Sequence, residues 1–337
     1  MAERARGRVL VTGGAGFVGS AVVDQLLEGD AERVVVLDLL TYAGRRENLS
    51  DAERDARFAF VHGDVGDRDL VARLFEEHDF DAVMHLAAES HVDRSIEDAA
   101  PFVRTNVVGT STLVEAAHAS WKTRRAARRF VHVSSDEVYG ALGALGRFTE
   151  DSPYAPTSPY AATKAASDLI VLAFYKTHGF PAVVTHSSNN YGPRQLPEKL
   201  VPLMITRAIA GEPLPVYGAG AQVREWLHVD DHARGLLLAL DRGLPGDTYN
   251  FGGDTEMPNR MVVERLADLV DAAVGRKQGA SRSLVTYVAD RLGHDFRYAI
   301  DASKAKTGLG WAPAVAFEDG LARTVAWYVA RHADPPK

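Results

Sequence analysis

The stretch "RVLVTGGAGFVGS", residues 8–20, decides how the chain reads. An apolar run ends at Thr12, glycines follow at a spacing of three (Gly13, Gly16 and Gly19), and apolar residues then recur at helical intervals. A short apolar run closed by glycine is a strand, and the turn after it opens a helix expected over 17–29. Working outward, "RVVVLD", "RFAFVHGD", "DAVMHLAA", "RFVHVSS" and "PAVVTHS" repeat the strand signal, with helices expected over 67–77, 99–119 and 158–178. Continuous Val/Leu/Ile runs, rather than alternating ones, mean strands buried on both faces, as in a parallel sheet covered by helices. The expected class is a doubly wound α/β fold, a Rossmann-type parallel sheet.

Beyond about residue 190 the rhythm weakens, and Gly and Pro punctuate short segments. This reads as a smaller, discontinuous α/β substrate-binding domain over about 191–228 plus 256–337. The first domain is 1–190 plus about 229–255, the latter returning a helix and a strand to the large sheet. At 337 residues the chain exceeds the roughly 250–300 residues that one core usually supports, in keeping with two domains. It is 46% hydrophobic and 25% charged, and no uninterrupted apolar run approaches the roughly 18 residues that cross a bilayer. The start lacks a signal-peptide core, so a cytoplasmic location is expected. With no cysteine there is no disulfide, thiolate nucleophile or Cys-based metal site, and no metal is expected. A formal charge of −7 argues against nucleic acid as a partner. The basic run "KTRRAARR", 122–129, is expected to be a solvated loop, since it has no interleaved aromatics.

The glycine turn lets the backbone approach a pyrophosphate, whose charge the helix N-terminal amides meet. The second strand ends on Asp38, close to the offset of about 20 residues at which a carboxylate meets a ribose 2′-hydroxyl and repels a 2′-phosphate. NAD is therefore expected over NADP. "YAATK" sets Tyr160 and Lys164 one helical turn apart. An ammonium and a nicotinamide cation beside a phenol favour its anion, so the tyrosine is expected to work as a base below its ordinary pKa of about 10.

"SSDEVYG", 134–140, places Asp136 beside Glu137 at the carboxyl end of a parallel strand, where ligands of such sheets bind. Neighbouring side chains of a strand point opposite ways, so a bend at Ser135 is expected to bring both to one substrate. The alternative is a helix N-cap at Ser135 or Asp136, with Glu137 on the first turn. If a sugar alcohol is oxidised at C4, the C5 proton becomes acidic, and an acid is needed for the departing C6 hydroxyl. Repulsion between adjacent carboxylates would leave one protonated and one ionised.

The motifs "TGGAGFVGS", "LTYAG", "HLAAESHVDRS", "TNVVGT", "SSDEVYG", "SPYAATKAASD", "SNNYGP", "PEKLVPLM", "LPVYG", "VREWLHVDDHARG", "ADRLGHD" and "RYAIDASK" run in order over essentially the whole chain. Together they resemble the dTDP-glucose 4,6-dehydratase branch of the extended short-chain dehydrogenase/reductase family. The resemblance implies a lyase that converts dTDP-glucose to dTDP-4-keto-6-deoxyglucose and water with tightly bound NAD. It implies Asp136 as the acid at C6, Glu137 as the base at C5, Tyr160 with Lys164 at the C4 hydroxyl, and Ser135 as a hydrogen bond to the sugar. Besides Gly13, Gly16, Gly19, Tyr160 and Lys164, it implies that Phe17, Val18, Asp38, Thr41, Asp64, Val65, Ala87, Thr105 and Asn190 line the cofactor. Ser90, Asn189, Glu198, Lys199, Tyr217, Arg224, Asn259 and His294 would hold the nucleotide sugar, Arg224 facing the diphosphate through its planar fork. A homodimer through the helices near 99–119 and 158–178 is implied as well.

Three departures bear on substrate detail: Ser135 where the family usually has Thr, Arg194 where an aromatic is common, and Leu292 where Pro is frequent. The rival within the same fold is a UDP-glucuronate decarboxylase or nucleotide-sugar 4-epimerase, which needs no acid–base pair at C5 and C6. A catalytically idle dinucleotide sensor would have no use for the whole set of side chains.

Overall fold

The computed structural model describes residues 6–122, 128–290 and 295–333. Its large sheet has seven strands: β1 (Arg8–Thr12), β2 (Arg33–Asp38), β3 (Phe58–His62), β4 (Ala82–His85), β5 (Arg129–Val133), β6 (Ala182–Ser187) and, from late in the chain, Thr248–Phe251. All pair in parallel, in the order Thr248–Phe251, β6, β5, β4, β1, β2, β3. The order reverses between β1 and β4, which opens a crevice at their carboxyl ends.

Strand alternation divides the apolar residues between two layers. Val9, Val11, Val34, Val36, Met84 and Val131 enter the core beneath α1 (Phe17–Glu28). Leu10, Val35, Leu37, Val83 and Phe130 enter the opposite core, under the helix Arg68–His78, named α2. Asp67 caps α2 by accepting from the Asp69 and Leu70 amides, and the left-handed Asp79 ends it.

The helix expected over 99–119 forms as one helical run, 100–120, whose middle is π-helical and which a separate short helix precedes. A short helix, α3 (Val92–Glu97), gives way to α4 (Ala100–Phe102), a π-helical stretch Val103–Gly109, and α5 (Thr110–Ser120). Pro101 sits in the first turn of the run from 100, where a missing amide hydrogen costs no helical hydrogen bond. The π stretch turns Asn106 inward, where its amide nitrogen donates to Glu89 O and Thr163 Oγ1 and its Oδ1 accepts from Glu89 N. A long helix, α6 (Pro159–His178), begins on the Ser158 cap and Pro159 and ends on left-handed Gly179.

Past β6 come β7 (Asn189–Tyr191), α7 (Leu200–Ala210), β8 (Leu214–Tyr217) and β9 (Val223–His228). The helix α8 (Val229–Arg242) and β10 (Thr248–Phe251) return to the large sheet, β10 pairing with β6 as the sequence leads one to expect. The remaining elements are β11 (Glu256–Pro258), α9 (Asn259–Ala273), β12 (Val285–Val288), α10 (Ser303–Leu309) and α11 (Phe317–Ala333). Around Trp226 and Tyr191, side chains of α7, α9 and α11 form a separate core. Ala302, Ala305, Leu309 and Trp311 pack instead in the core of the large sheet.

Most of the basic run, 123–127, lies outside the described residues. Its end is not solvated: Arg128 is 2% exposed, donating to Asp81 Oδ1 at 2.7 Å and to Asp79 Oδ1 at 2.8 Å. Those two carboxylates stand at the entrance to β4, so the arginine clips β5 to its neighbour.

Phe130 has no exposed surface and packs against Phe180 and His85. Phe130→Ala is expected to cost about 3–5 kcal/mol, read from the denaturant midpoint.

Candidate active site

The crevice at the switch of strand order is a cavity of about 340 Å³. Its floor is the glycine turn after β1. Gly13 has φ +70, and a Cβ there would lie 2.6 Å from the Ala87 amide nitrogen. At Gly19 a Cβ would meet the Gly13 carbonyl oxygen at 2.1 Å. A chain that leaves no room for methyl groups at this point brings its backbone against whatever lies in the crevice, the requirement of a pyrophosphate cradle. Asp38 closes the end of β2, accepting from the Ala15 amide at 2.9 Å and the Leu40 amide at 2.8 Å. Burial raises its pKa and the two amides oppose that. Each oxygen keeps a lone pair for a ribose hydroxyl. The donor set and close backbone fit NAD.

Every expected cofactor residue lines this cavity: Gly13, Gly16, Phe17, Val18, Gly19, Asp38, Thr41, Asp64, Val65, Ala87, Thr105, Tyr160, Lys164 and Asn190. Ser135, Asp136, Glu137, Ser90, Asn189, Glu198 and Lys199 join the same lining. Tyr217, Arg224 and Asn259 lie outside it, and His294 and Leu292 lie outside the described residues. Tyr217 ends β8, and Asn259, which opens α9, donates its backbone amide to Gln222 O. The Arg224 fork is occupied within its own lobe. It donates to the Val223 carbonyl at 2.9 Å and the Asp295 carbonyl at 3.0 Å, and stacks 4.5 Å over the Tyr298 ring.

Both readings of the Ser135 region are realised together. Ser135 is extended (φ −138, ψ 150) and caps a 3-10 turn, Asp136–Tyr139, by accepting from the Glu137 amide at 3.3 Å. The chain leaves the strand there, and the turn delivers both carboxyl groups to the cavity. Asp136 is 3% exposed, and its Oδ2 has no hydrogen-bond partner among the described residues. Its pKa is raised well above the ordinary carboxylate value, first by burial and then by Glu137 and Glu225, with Arg224 opposing. Like-charge repulsion is thus the second cause and loss of water the first, reversing the order expected from adjacency alone.

Tyr160 departs from expectation. Burial and the Glu137 and Asp136 charges push its phenol up, while a hydrogen bond with Ser135 works the other way. The ammonium expected to lower it donates to the Val133 carbonyl at 2.8 Å. Burial brings Lys164 down to about 8, against the pull of Asp168. Of the causes at Tyr160, burial is the largest, ahead of the Glu137 charge.

At the mouth, Lys199 Nζ donates to the Ser90 carbonyl at 2.9 Å, and Glu198 lies 3.7 Å from both His91 and Arg94. Arg194, in left-handed backbone (φ 70), reaches back to Asp24 on α1 at 2.5 Å. This departure from the family pattern therefore ties the loop after β7 to the first helix of the large sheet. Sequence reasoning missed Ser134, Gln195 and His232 in the lining. It also missed Asn106, although "TNVVGT" was in view, because only the π stretch turns that side chain inward.

A family model described as GDP-mannose 4,6 dehydratase matches residues 10–324. A dTDP-glucose 4,6-dehydratase of Xanthomonas campestris is 55% identical over 325 residues, 95% of this chain and 92% of that protein. The dTDP-glucose 4,6-dehydratase 1 of Escherichia coli is 50% identical over 96% of this chain and 92% of its own length. This chain belongs to the dTDP-glucose 4,6-dehydratase family. Among solved structures, a Streptomyces venezuelae dTDP-glucose 4,6-dehydratase with NAD bound superposes with a TM-score of 0.89 at 49% identity, covering 97% of this chain and 98% of that one. The Thermotoga maritima UDP-glucose 4-epimerase shares the fold at 30% identity and a TM-score of 0.86, over 96% and 99% of the two chains.

The buried Asp136 generates a stability signature. A folded-state pKa above the unfolded value means that the unfolded chain releases the proton first, so wild type loses stability as pH rises above the unfolded pKa of about 4. Asp136→Asn carries no such penalty. The variant is expected to gain stability over wild type by about 1 kcal/mol or more between about pH 4 and pH 7, measured by denaturant melts at each pH. A pH-independent difference would mean an ionised carboxylate in the fold.

Proposed function

We infer that this chain carries out the NAD-dependent 4,6-dehydration of dTDP-glucose to dTDP-4-keto-6-deoxyglucose and water. The observation that carries the reading is a buried Asp136, its pKa raised by burial, adjacent to Glu137 in the same cavity as Tyr160 and Lys164. Bound NAD supplies reversible hydride acceptance, from C4 and back to C6. Tyr160 takes the C4 hydroxyl proton, and Ser135 holds the sugar oxygen by its hydroxyl. Glu137 removes the proton from C5 once C4 is a ketone. Asp136 gives its proton to the C6 oxygen as the C6–O bond breaks, so water leaves rather than hydroxide. Glu137 then returns a proton to C5, and no net redox occurs.

A 4-epimerase or decarboxylase on this scaffold would have no task for a buried acid beside Glu137. The mouth residues Ser90, Asn189, Glu198 and Lys199 are positioned for the nucleotide side of the substrate, and Tyr217, Arg224, Asn259 and His294 are assigned to the nucleotide by family resemblance. The second domain is the lobe about 191–228 plus 256–337. A homodimer is proposed through the helices near 99–119 and 158–178, where Val103, Val108 and Leu169 are exposed apolar side chains. Among the described residues no helix is long and apolar enough to cross a membrane, which fits a cytoplasmic location.

Incubation with dTDP-glucose is expected to yield the alkali-induced absorbance of a 4-keto sugar. Asp136→Asn should slow elimination by about 10²–10⁴-fold while leaving C4 oxidation near wild type, visible as accumulating NADH absorbance in rapid mixing. Equal loss of both steps would remove Asp136 from the acid's role. Gly19→Ala, whose new methyl meets the Gly13 carbonyl, should purify without NAD.

A further inference from the structure

The helix α6 carries a third ionisable group in line with the catalytic two: Tyr160, Lys164 and Asp168 follow at intervals of four, so they lie along one face. Asp168 has no exposed surface and is absent from the cavity lining. It is nonetheless surrounded by polar groups. Ser134, which does line the cavity, donates to Asp168 Oδ2 at 2.8 Å. His186 Nε2 lies 3.1 Å from the same oxygen. His132 Nε2 lies 3.1 Å from Oδ1, off the axis that a full hydrogen bond requires. Tyr154 Oη lies 3.1 Å from the same His186 Nε2, and on the far side of the ring Tyr139 Oη, which donates to Asn250 Oδ1, lies 3.0 Å from Nδ1.

An array of this size around one carboxyl group, in a space without water, is costly unless the group is charged and the charge is used. Burial alone would raise the pKa of Asp168, but contacts with His132 and His186 overcome it and hold the group below the ordinary carboxylate range. Lys164 is buried one turn earlier on the same face, its Nζ on the Val133 carbonyl, and Asp168 raises its pKa against burial.

We propose that Asp168 is a positioning residue for the Tyr160/Lys164 pair: a buried anion, held by Ser134, His132 and His186, that keeps the Lys164 side chain an ammonium at the floor of the cavity. This rests on the assignment of Tyr160 and Lys164 to the C4 hydroxyl. The groups around Lys164 leave Asp168 alone in that role. From its own helix come Tyr160, neutral because its phenol is pushed up, and Asp168. From β5 comes His132, taken down to about 4 by burial, and from β4 comes His85, also lowered by burial, so both are neutral at pH 7. Asp136 and Glu137 share the cavity lining, but the pull that raises Lys164 against its burial comes from Asp168.

Removing the anion lowers the Lys164 pKa, so the ammonium is lost at a lower pH and the alkaline limb of kcat moves down. The test is a titration of Lys164 Nζ by nitrogen-15 NMR, assigned with Lys164→Met, in the full-length wild type and in Asp168→Asn, alongside kcat and KM for dTDP-glucose against pH. Wild type is expected to titrate near 8, and Asp168→Asn about one unit lower or more. The alkaline limb of kcat should follow, with KM changed less than about twofold. An unshifted Lys164 titration, with only thermal stability lost, would overturn the proposal. If Asp168→Asn does not fold, the reciprocal measurement decides: coupling between two sites is mutual, so the Asp168 carboxyl carbon must titrate at higher pH in Lys164→Met than in wild type, and an unchanged value would overturn it. The NMR titrations use no substrate, so they are independent of whether dTDP-glucose is turned over.

Discussion

Exclusion of water from one carboxyl group at the carboxyl end of β5 is the constraint around which this site is built. Burial raises the Asp136 pKa, and burial needs walls: the 3-10 turn that tucks it inward, β9 with Arg224 and Glu225, and the packing of Val138, Tyr139 and Ile300 beneath the turn. Glu225 is itself buried and pushed to about 7 by burial, although the Ile300 and Asp254 amides donate to it. A carboxylate in the second lobe is thereby tied to backbone of the returning chain while its charge weighs on the acid in the first.

The cavity is graded along its length. At one end the backbone is stripped of side chains at Gly13 and Gly19 and ends on Asp38, a setting for phosphates and a ribose diol. In the middle, burial dominates: it raises the Asp136 and Tyr160 pKa values and brings Lys164 down to about 8. At the mouth Lys199, Glu198, His91 and Arg94 pair across the two lobes. Proton chemistry is thus confined to the driest third, where small movements of charge have the largest effect.

Much of this was legible in the residue order. Val9–Val11 and Val34–Leu37 are buried on both faces, and that alone specifies a covered parallel sheet. The glycine turn and Asp38 carried the cofactor reading because they depend on local geometry and a short sequence offset. Other readings failed where a distant contact decides. The helix over 99–119 forms, but its middle swells into a π stretch, with Asn106 against Glu89 and Thr163. Arg128 looked like part of a solvated basic loop until Asp79 and Asp81 were brought beside it by the register of β4 and β5.

By itself the sequence determined the fold class, the place of the crevice and the identity of the chemical groups in it, since periodicity, turn residues and short spacings act within a few residues of one another. Only the tertiary structure decided which of those groups carry protons. A side chain's charge depends on how much water and which counter-charges surround it, and these arrive from strands and helices far away in the chain. Thus Asp136 has a raised pKa chiefly because it is buried, burial outweighs the Ser135 hydrogen bond at Tyr160, and Asp168, the last residue of a quoted motif, gathers Ser134 and His186 from distant strands.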